Sequence, residues 1–478
     1  MSPITILLVV VGYFALLLLI SYVTSRKADN KAFFVGNKQS PWYVVAFGMV
    51  GASLSGVTFI SVPGWVKAID FTYLQMVLGY MLGYIVVANI LLPLYYRLNL
   101  TSIYTYLDGR FGRVSYKTGA SFFLLSRTIG ASFRLFLMAN VLQITVFDAW
   151  NIPFFLTVLL TILLIWLYTF KGGIKTIVWT DTLQTLFMLL AVGVSIYLIM
   201  DKLNLTASGL YQVISESDYS SVFVFDDWHS KQNFFKQFFT GAFITIVMTG
   251  LDQDMMQKNL SCKNLAEAKK NMYWYGFAFI PANFLFLILG ALLLIFAQHE
   301  GIAIPDRGDD LFPLLATQHL GPLVSVFFLI GLMAAAYSSA DSALTSLTTS
   351  FTVDILGADE KDEAATRKLR FRSHLLFSFL LLAVILIFRA INDDSVIAAI
   401  FTIAGYTYGP LLGLYAFGLF TKLNVKDKWV PVVAIVSPII CYFIKEIVMV
   451  KFGIPIGFEL LMVNGAITFI GLWAIRRK

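Results

Sequence analysis

Residues 334–346 read Ala-Ala-Ala-Tyr-Ser-Ser-Ala-Asp-Ser-Ala-Leu-Thr-Ser and lie inside a long apolar run. Spacings of three and four put Ser338, Asp341, Ser342 and Thr345 on one helical face, with Ser339 and Ser346 beside it. An ionisable residue inside a bilayer is costly and marks an ion or substrate path. Hydroxyl oxygens and one carboxylate can replace the hydration shell that a small hard cation sheds. The stripe therefore predicts a sodium site, and a sodium site inside a membrane helix predicts a transporter.

Two further groups carry chemistry. Arg127 and Arg134, seven residues apart with Gly130 between them, share one helical face that must look into the protein because lipid would not tolerate it. A guanidinium grips a carboxylate through two parallel hydrogen bonds, which points to an anionic substrate. The alternative is that one or both arginines pair with Asp181 or Asp341, or that Arg127 reaches a cytoplasmic helix end. The second group is the stretch from Phe47 to Gly64, where Gly48, Gly51, Gly56, Ser53, Ser55, Thr58, Ser61 and Pro63 weaken a helix in mid-membrane. A helix can break there only where it lines a cavity or is buried in protein, and its freed carbonyls can bind a cation. Close packing through small residues is the competing reading. Gly241, Thr245, Thr249 and Gly250 mark a weaker second break.

The elements that must hold these groups follow from composition. Of 478 residues, 58% are hydrophobic and 13% charged, the balance of a polytopic helical membrane protein. Thirteen apolar runs are long enough to span: roughly 3–25, 41–65, 71–96, 118–147, 152–170, 177–200, 233–251, 271–297, 321–352, 372–389, 395–420, 430–449 and 456–475. Basic clusters follow every odd-numbered run, among them Arg26, Lys27, Lys31 and Lys38, then Lys171 and Lys175, then Lys258, Lys263, Lys269 and Lys270. Acids such as Asp306, Asp309, Asp310, Asp393 and Asp394 occupy the intervening loops. The alternation predicts an inner (plasma) membrane protein with its N-terminus outside and its C-terminus in the cytoplasm. The first run lacks a basic n-region and a small-residue cleavage site, so it reads as a span rather than a cleaved signal.

The net charge of +7 is spread over loops, which argues against a nucleic-acid surface. Cys262 and Cys441 cannot form a disulfide framework. His229, His299, His319 and His374 show no metal-ligand spacing, and no nucleophile arrangement argues for an enzyme. A passive channel and a transport-dead sodium sensor remain as rivals from other classes. The partners expected are a small solute, sodium ions and the bilayer, with no nucleic acid and no obligate protein partner.

Several motifs in order resemble the sodium:solute symporter family across nearly the whole chain. They are Leu54–Pro63; Thr101-Ser102-Ile103-Tyr104-Thr105-Tyr106-Leu107 with Arg110-Phe111; Lys171-Gly172-Gly173-Ile174 with Trp179-Thr180-Asp181 and Gln184; Asp252-Gln253-Asp254 with Gln257 and Ala266–Lys270; and Gly405-Tyr406, Gly409-Pro410 and Gly413. The resemblance implies an all-α, leucine-transporter-like fold, with two inverted five-helix repeats, one extra helix before and two after. The single transmembrane domain 1–478 would then divide into a leading helix and loop (1–40), a first repeat (41–200), a second (233–421) and two trailing helices (422–478).

The resemblance also implies sites. A main sodium site would use carbonyls of Gly51, Leu54 and Ala335 and hydroxyls of Ser338 and Ser339. A second cation site, as in sialic acid carriers of the family, would use Asp181, Ser338, Asp341 and Ser342. Asp341 stands where a serine is usual, so the acid pair could hold sodium more tightly, bind a proton or pair with an arginine. Ser53, Ser55 and Thr58 match substrate-carboxylate positions, and Tyr73 matches an aromatic one, joined by Arg134 and Arg127. Val77 replaces a glutamine of sialic acid carriers, which leaves a smaller carboxylate open; Gln75 or Gln143 would have to compensate. Tyr406 is the candidate gate. The expected function is sodium-coupled import of a small organic anion by alternating access, with a sugar as the alternative cargo.

Overall fold

The computed structural model describes residues 3–25, 29–170, 172–358, 361–391 and 396–477. Arg26, Lys27, Lys171, Asp393 and Asp394, used above for orientation or motif, lie outside them. The described residues are helical, with two isolated β-bridges, Ser40–Cys262 and Val425–Arg476. The apolar runs become α1 (Pro3–Ser25), α2 (Trp42–Ile69), α3 (Tyr73–Arg97), α4 (Arg113–Leu142), α5 (Phe154–Thr169), α6 (Ile174–Lys202), α7 (Phe234–Gly250), α8 (Gln253–Leu260), α9 (Leu265–His299), α10 (Pro322–Ile355), α11 (Glu363–Ile391), α12 (Val396–Thr407), α13 (Gly409–Phe420), α14 (Val430–Phe452) and α15 (Leu460–Ala474). Among the described residues nine helices are long and apolar enough to cross a bilayer. The bent pair α7–α8 makes a tenth, and shorter apolar helices account for the remaining runs.

Polarity decides which helix goes inside, since lipid is as apolar as leucine and supplies no hydrophobic drive. Every residue of α10 from Gly331 to Ser350 is buried, so its hydroxyl-and-acid stripe is surrounded by protein. By contrast α14 exposes Val432, Ile435, Ile439 and Phe443, side chains suited to lipid.

Both expected breaks occur. Within α2, Ser55 adopts φ 44° and ψ 169°, a conformation that interrupts the i→i−4 ladder and frees carbonyls of the preceding turn. Small residues bring this broken segment against its neighbours. A Cβ at Gly51 would collide with Thr185 of α6, and one at Gly56 would sit 3.3 Å from Ala336 of α10. The second break falls between α7 and α8, which meet at a bend of 64°. There Asp252 caps α8, accepting from the Asp254 and Met255 amides at 2.8 and 3.3 Å. Tyr95 and Tyr104 donate to the carbonyls of Gly250 and Leu251 at 2.8 and 2.9 Å, so the unwound turn is satisfied inside the protein.

The run 395–420, read above as one span, is instead two helices, α12 and α13. Pro410 has no N–H for the Tyr406 carbonyl, four residues earlier. The Asn464 amide of α15 supplies the missing donor, bonding the carbonyls of Tyr406 and Gly405 at 2.9 and 3.0 Å. Replacing Asn464 with leucine strands these groups in the membrane and is expected to cost about 1–3 kcal/mol. The check is a clearly lowered midpoint in a thermal unfolding scan of detergent-purified protein.

Candidate substrate and cation site

The break in α2 faces a cavity of about 100 Å3. Ser53, Ser55, Thr58, Tyr73, Arg127 and Arg134 all line it, which gathers every substrate candidate nominated from sequence. Three tyrosines that sequence reading missed complete one wall. Tyr275 of α9 lies with its hydroxyl 2.5 Å from that of Ser53, Tyr84 donates to Tyr275 at 2.8 Å, and Tyr80 contacts the Tyr73 hydroxyl at 3.1 Å. The available signal was the spacing of Tyr73, Tyr80 and Tyr84, which share a face of α3.

Other nominations land elsewhere. Gln75 is a loop clasp: its amide donates to the Gln232 carbonyl at 2.8 Å and accepts from the Val224 amide at 3.1 Å. Gln143 ties down a helix end through Asp148 and the Ile152 carbonyl at 2.6 and 2.7 Å. Neither compensates for Val77, which is buried. Tyr406 does not line the cavity; Phe401, one turn and a half earlier on α12, does. A second cavity of about 440 Å3 shares Tyr73 and Phe401 with the first and extends past Trp65 and Phe458 to the exposed Lys231 and Glu446.

The two arginines differ in their surroundings. Arg127 is ion-paired with Asp254 and stands 3.9 Å from Asp252, whose other neighbour is the Tyr408 hydroxyl. The alternative in which an arginine pairs with Asp181 or Asp341 does not occur; Arg127 pairs instead with the Asp252–Asp254 cap of α8. Arg134 has no carboxylate within 4 Å among the described residues.

Beside the cavity, α10 meets the broken segment of α2. Ser339 donates to the Ala52 carbonyl at 3.1 Å, using an acceptor that the Ser55 break leaves free. Leu54 and Ala335 are buried at this crossing. One residue along, Ser338 donates to Asp181 Oδ1 at 2.6 Å, joining α10 to α6. Asp341 accepts from Tyr168 at 2.8 Å and from the Ser342 amide at 2.5 Å, and the Ser342 hydroxyl reaches Asp254. The acid pair is therefore wired to the α8 cap through Ser342.

Lys258 overturns one expectation outright. Counted above among cytoplasmic loop charges, it is 1% exposed, with Nζ 2.7 Å from Asp181 Oδ2. The bend between α7 and α8 turns it back into the protein. His374, similarly buried, lies between Thr169 and Thr348 hydroxyls at 3.3 and 2.9 Å.

The arrangement joins an unpaired guanidinium at a cavity to an oxygen-rich helix crossing, on an architecture shared with known carriers. The chain superposes with a TM-score of 0.82 on a Na+-coupled sialic acid symporter solved in a substrate-bound outward-open state, covering 98% of this chain and 96% of that one at 20% identity. It is 24% identical to the sodium/sialic acid symporter SiaT of Proteus mirabilis over 96% of this chain and 94% of that protein. It is 27% identical to the rabbit (Oryctolagus cuniculus) sodium-dependent multivitamin transporter over 79% of this chain, spanning 59% of that longer protein. The family model for sodium:solute symporters matches residues 33–426. With that match over most of its length, and with the broken-helix fold in place, the chain belongs to the sodium:solute symporter family.

Proposed function

We propose that this family member couples the inward flow of sodium to import of a small organic anion. The observation that carries the anionic cargo is Arg134: a half-buried guanidinium at the wall of the cavity, with no carboxylate within 4 Å among the described residues. A guanidinium that faces a cavity inside the membrane and has no internal carboxylate partner is placed to pair with a substrate carboxylate. Ser53, Ser55 and Thr58 supply hydroxyl donors to the same anion, and Tyr73 with Tyr275 supplies aromatic walls. Arg127, already held by Asp254, serves to position the floor of the cavity. The sialic acid symporters among its relatives carry such an anion, and Val77 with the small cavity favours a smaller carboxylate here.

Sodium binds, on this reading, at the crossing of α2 and α10, through carbonyls of Gly51, Leu54 and Ala335 and the hydroxyls of Ser338 and Ser339. These ligands lie on two elements that separate when the site opens inward, so sodium favours the outward-facing state and its loss to a low-sodium cytoplasm releases the cargo. The wider cavity beyond Phe401 serves as the outer approach, with the N-terminus outside and the C-terminus in the cytoplasm. Phe401, rather than Tyr406, closes over the substrate.

Ser339→Ala is expected to raise the sodium concentration for half-maximal transport about tenfold, the loss of one ion ligand, while the protein still folds and reaches the membrane, with a modestly lowered thermal midpoint because the Ala52 carbonyl loses its donor. An unchanged sodium dependence removes the α2–α10 crossing as the ion site. For the cargo, thermal shifts of the purified protein in sodium are measured with lactate, sialic acid and galactose. Stabilisation by an anion in sodium but not in potassium supports the reading; stabilisation by galactose alone replaces it with sugar transport.

A further inference from the structure

Lys258 is a lysine ammonium buried beside a carboxylate pair on which the family resemblance would place a second cation. Asp181 has both oxygens engaged: Oδ1 takes the Ser338 hydroxyl proton at 2.6 Å and Oδ2 faces Lys258 Nζ at 2.7 Å. A sodium ion at this position would need lone pairs from these oxygens, and it would stand next to a fixed positive charge with little water to screen the repulsion. Asp341, the other acid, has no basic side chain within 4 Å among the described residues, so what keeps sodium out is competition for Asp181, whose Oδ2 the ammonium occupies.

The lysine also reproduces the mechanical consequence of a bound ion. It projects from α8, the half-helix beyond the second break, and reaches Asp181 on α6. Its Nζ stands 2.7 Å from Asp181 Oδ2, the position in which an ion bridging α6 and α8 would meet that carboxylate. Unlike an ion, it cannot leave.

We propose that Lys258 is a tethered cation that fills the second cation position, so that the chain binds and carries a single sodium ion per cycle. The proposal rests on the sodium-symport reading above and fixes its ion count.

The test is equilibrium binding of 22Na+ to purified protein, counted per chain at saturation. Wild type is expected to bind one ion. Lys258→Ser, which removes the ammonium and adds a small hydroxyl ligand, is expected to bind two, with the Hill slope rising from near one toward two. The double variant Lys258→Met/Asp181→Asn, which removes both partners of that ion pair together, is expected to fold and to bind one. Two ions on wild type, or still one on folded Lys258→Ser, overturns the proposal. If Lys258→Ser does not fold, the wild-type count and the double variant decide: one and one supports it, two on wild type refutes it. Zero on wild type with one gained in Lys258→Ser would count against the main sodium site while upholding the lysine's role.

Discussion

Arg134→Gln is expected to raise KM for the anionic substrate at least about 100-fold, while the protein still folds and still binds sodium. A bidentate guanidinium–carboxylate contact is worth up to about 3 kcal/mol, which corresponds to a factor of roughly 150 in affinity. Folding is spared because no internal carboxylate loses a partner: none lies within 4 Å of Arg134 among the described residues. The conservative Arg134→Lys keeps the charge and loses the planar fork, so it should recover only part of the affinity. The check is sodium-driven uptake against substrate concentration, alongside 22Na+ binding. Wild-type KM in Arg134→Gln would mean that this arginine does not hold the cargo.

Asp254→Ala should have the opposite profile, a large loss of stability. It removes the direct ion-pair partner of Arg127, leaving Asp252 at 3.9 Å, and also the acceptor for Ser342. Breaking one side of a buried ion pair costs about 3–5 kcal/mol because the other charge is stranded. The variant is expected to reach the membrane poorly and to lose a large part of its thermal midpoint in detergent. Arg127→Met combined with Asp254→Ala removes both charges and should restore much of that stability. If the single variant is as stable as wild type, the Arg127–Asp254 pair contributes nothing to the α8 cap. If the double variant transports the anion with unchanged KM, Arg127 has no direct part in binding.

What could be read in advance was whatever polarity marks against an apolar background. The α10 stripe, the weakened helix around Ser55 and the two arginines stand out for that reason. All six substrate candidates line one cavity. What could not be read was contact between distant parts of the chain. Arg127 and Asp254 are 127 residues apart, and nothing in local spacing joins them. Tyrosine is amphipathic, so Tyr80, Tyr84 and Tyr275 read as core although their hydroxyls form a wall of the cavity. Lys258 was hidden by its neighbours. It heads a series with Lys263, Lys269 and Lys270, and counting basic residues after a span records their sign but not the 64° bend that buries the first of them. Tyr406 does not line the cavity, and Asn464 holds its carbonyl, a placement that its position after an apolar run does not reveal. Helical runs fixed where α12 and α13 lie, but the split between them depended on Pro410 and on a donor from α15.

Uptake into proteoliposomes under an inward sodium gradient tests the central claim most directly. Labelled lactate, sialic acid and galactose are compared, with potassium replacing sodium as the control. The account predicts accumulation of an anion above its equilibrium level in sodium, abolished in potassium and in Arg134→Gln. Equal uptake in sodium and potassium, ending at equilibrium, would contradict it and make the chain a passive pathway.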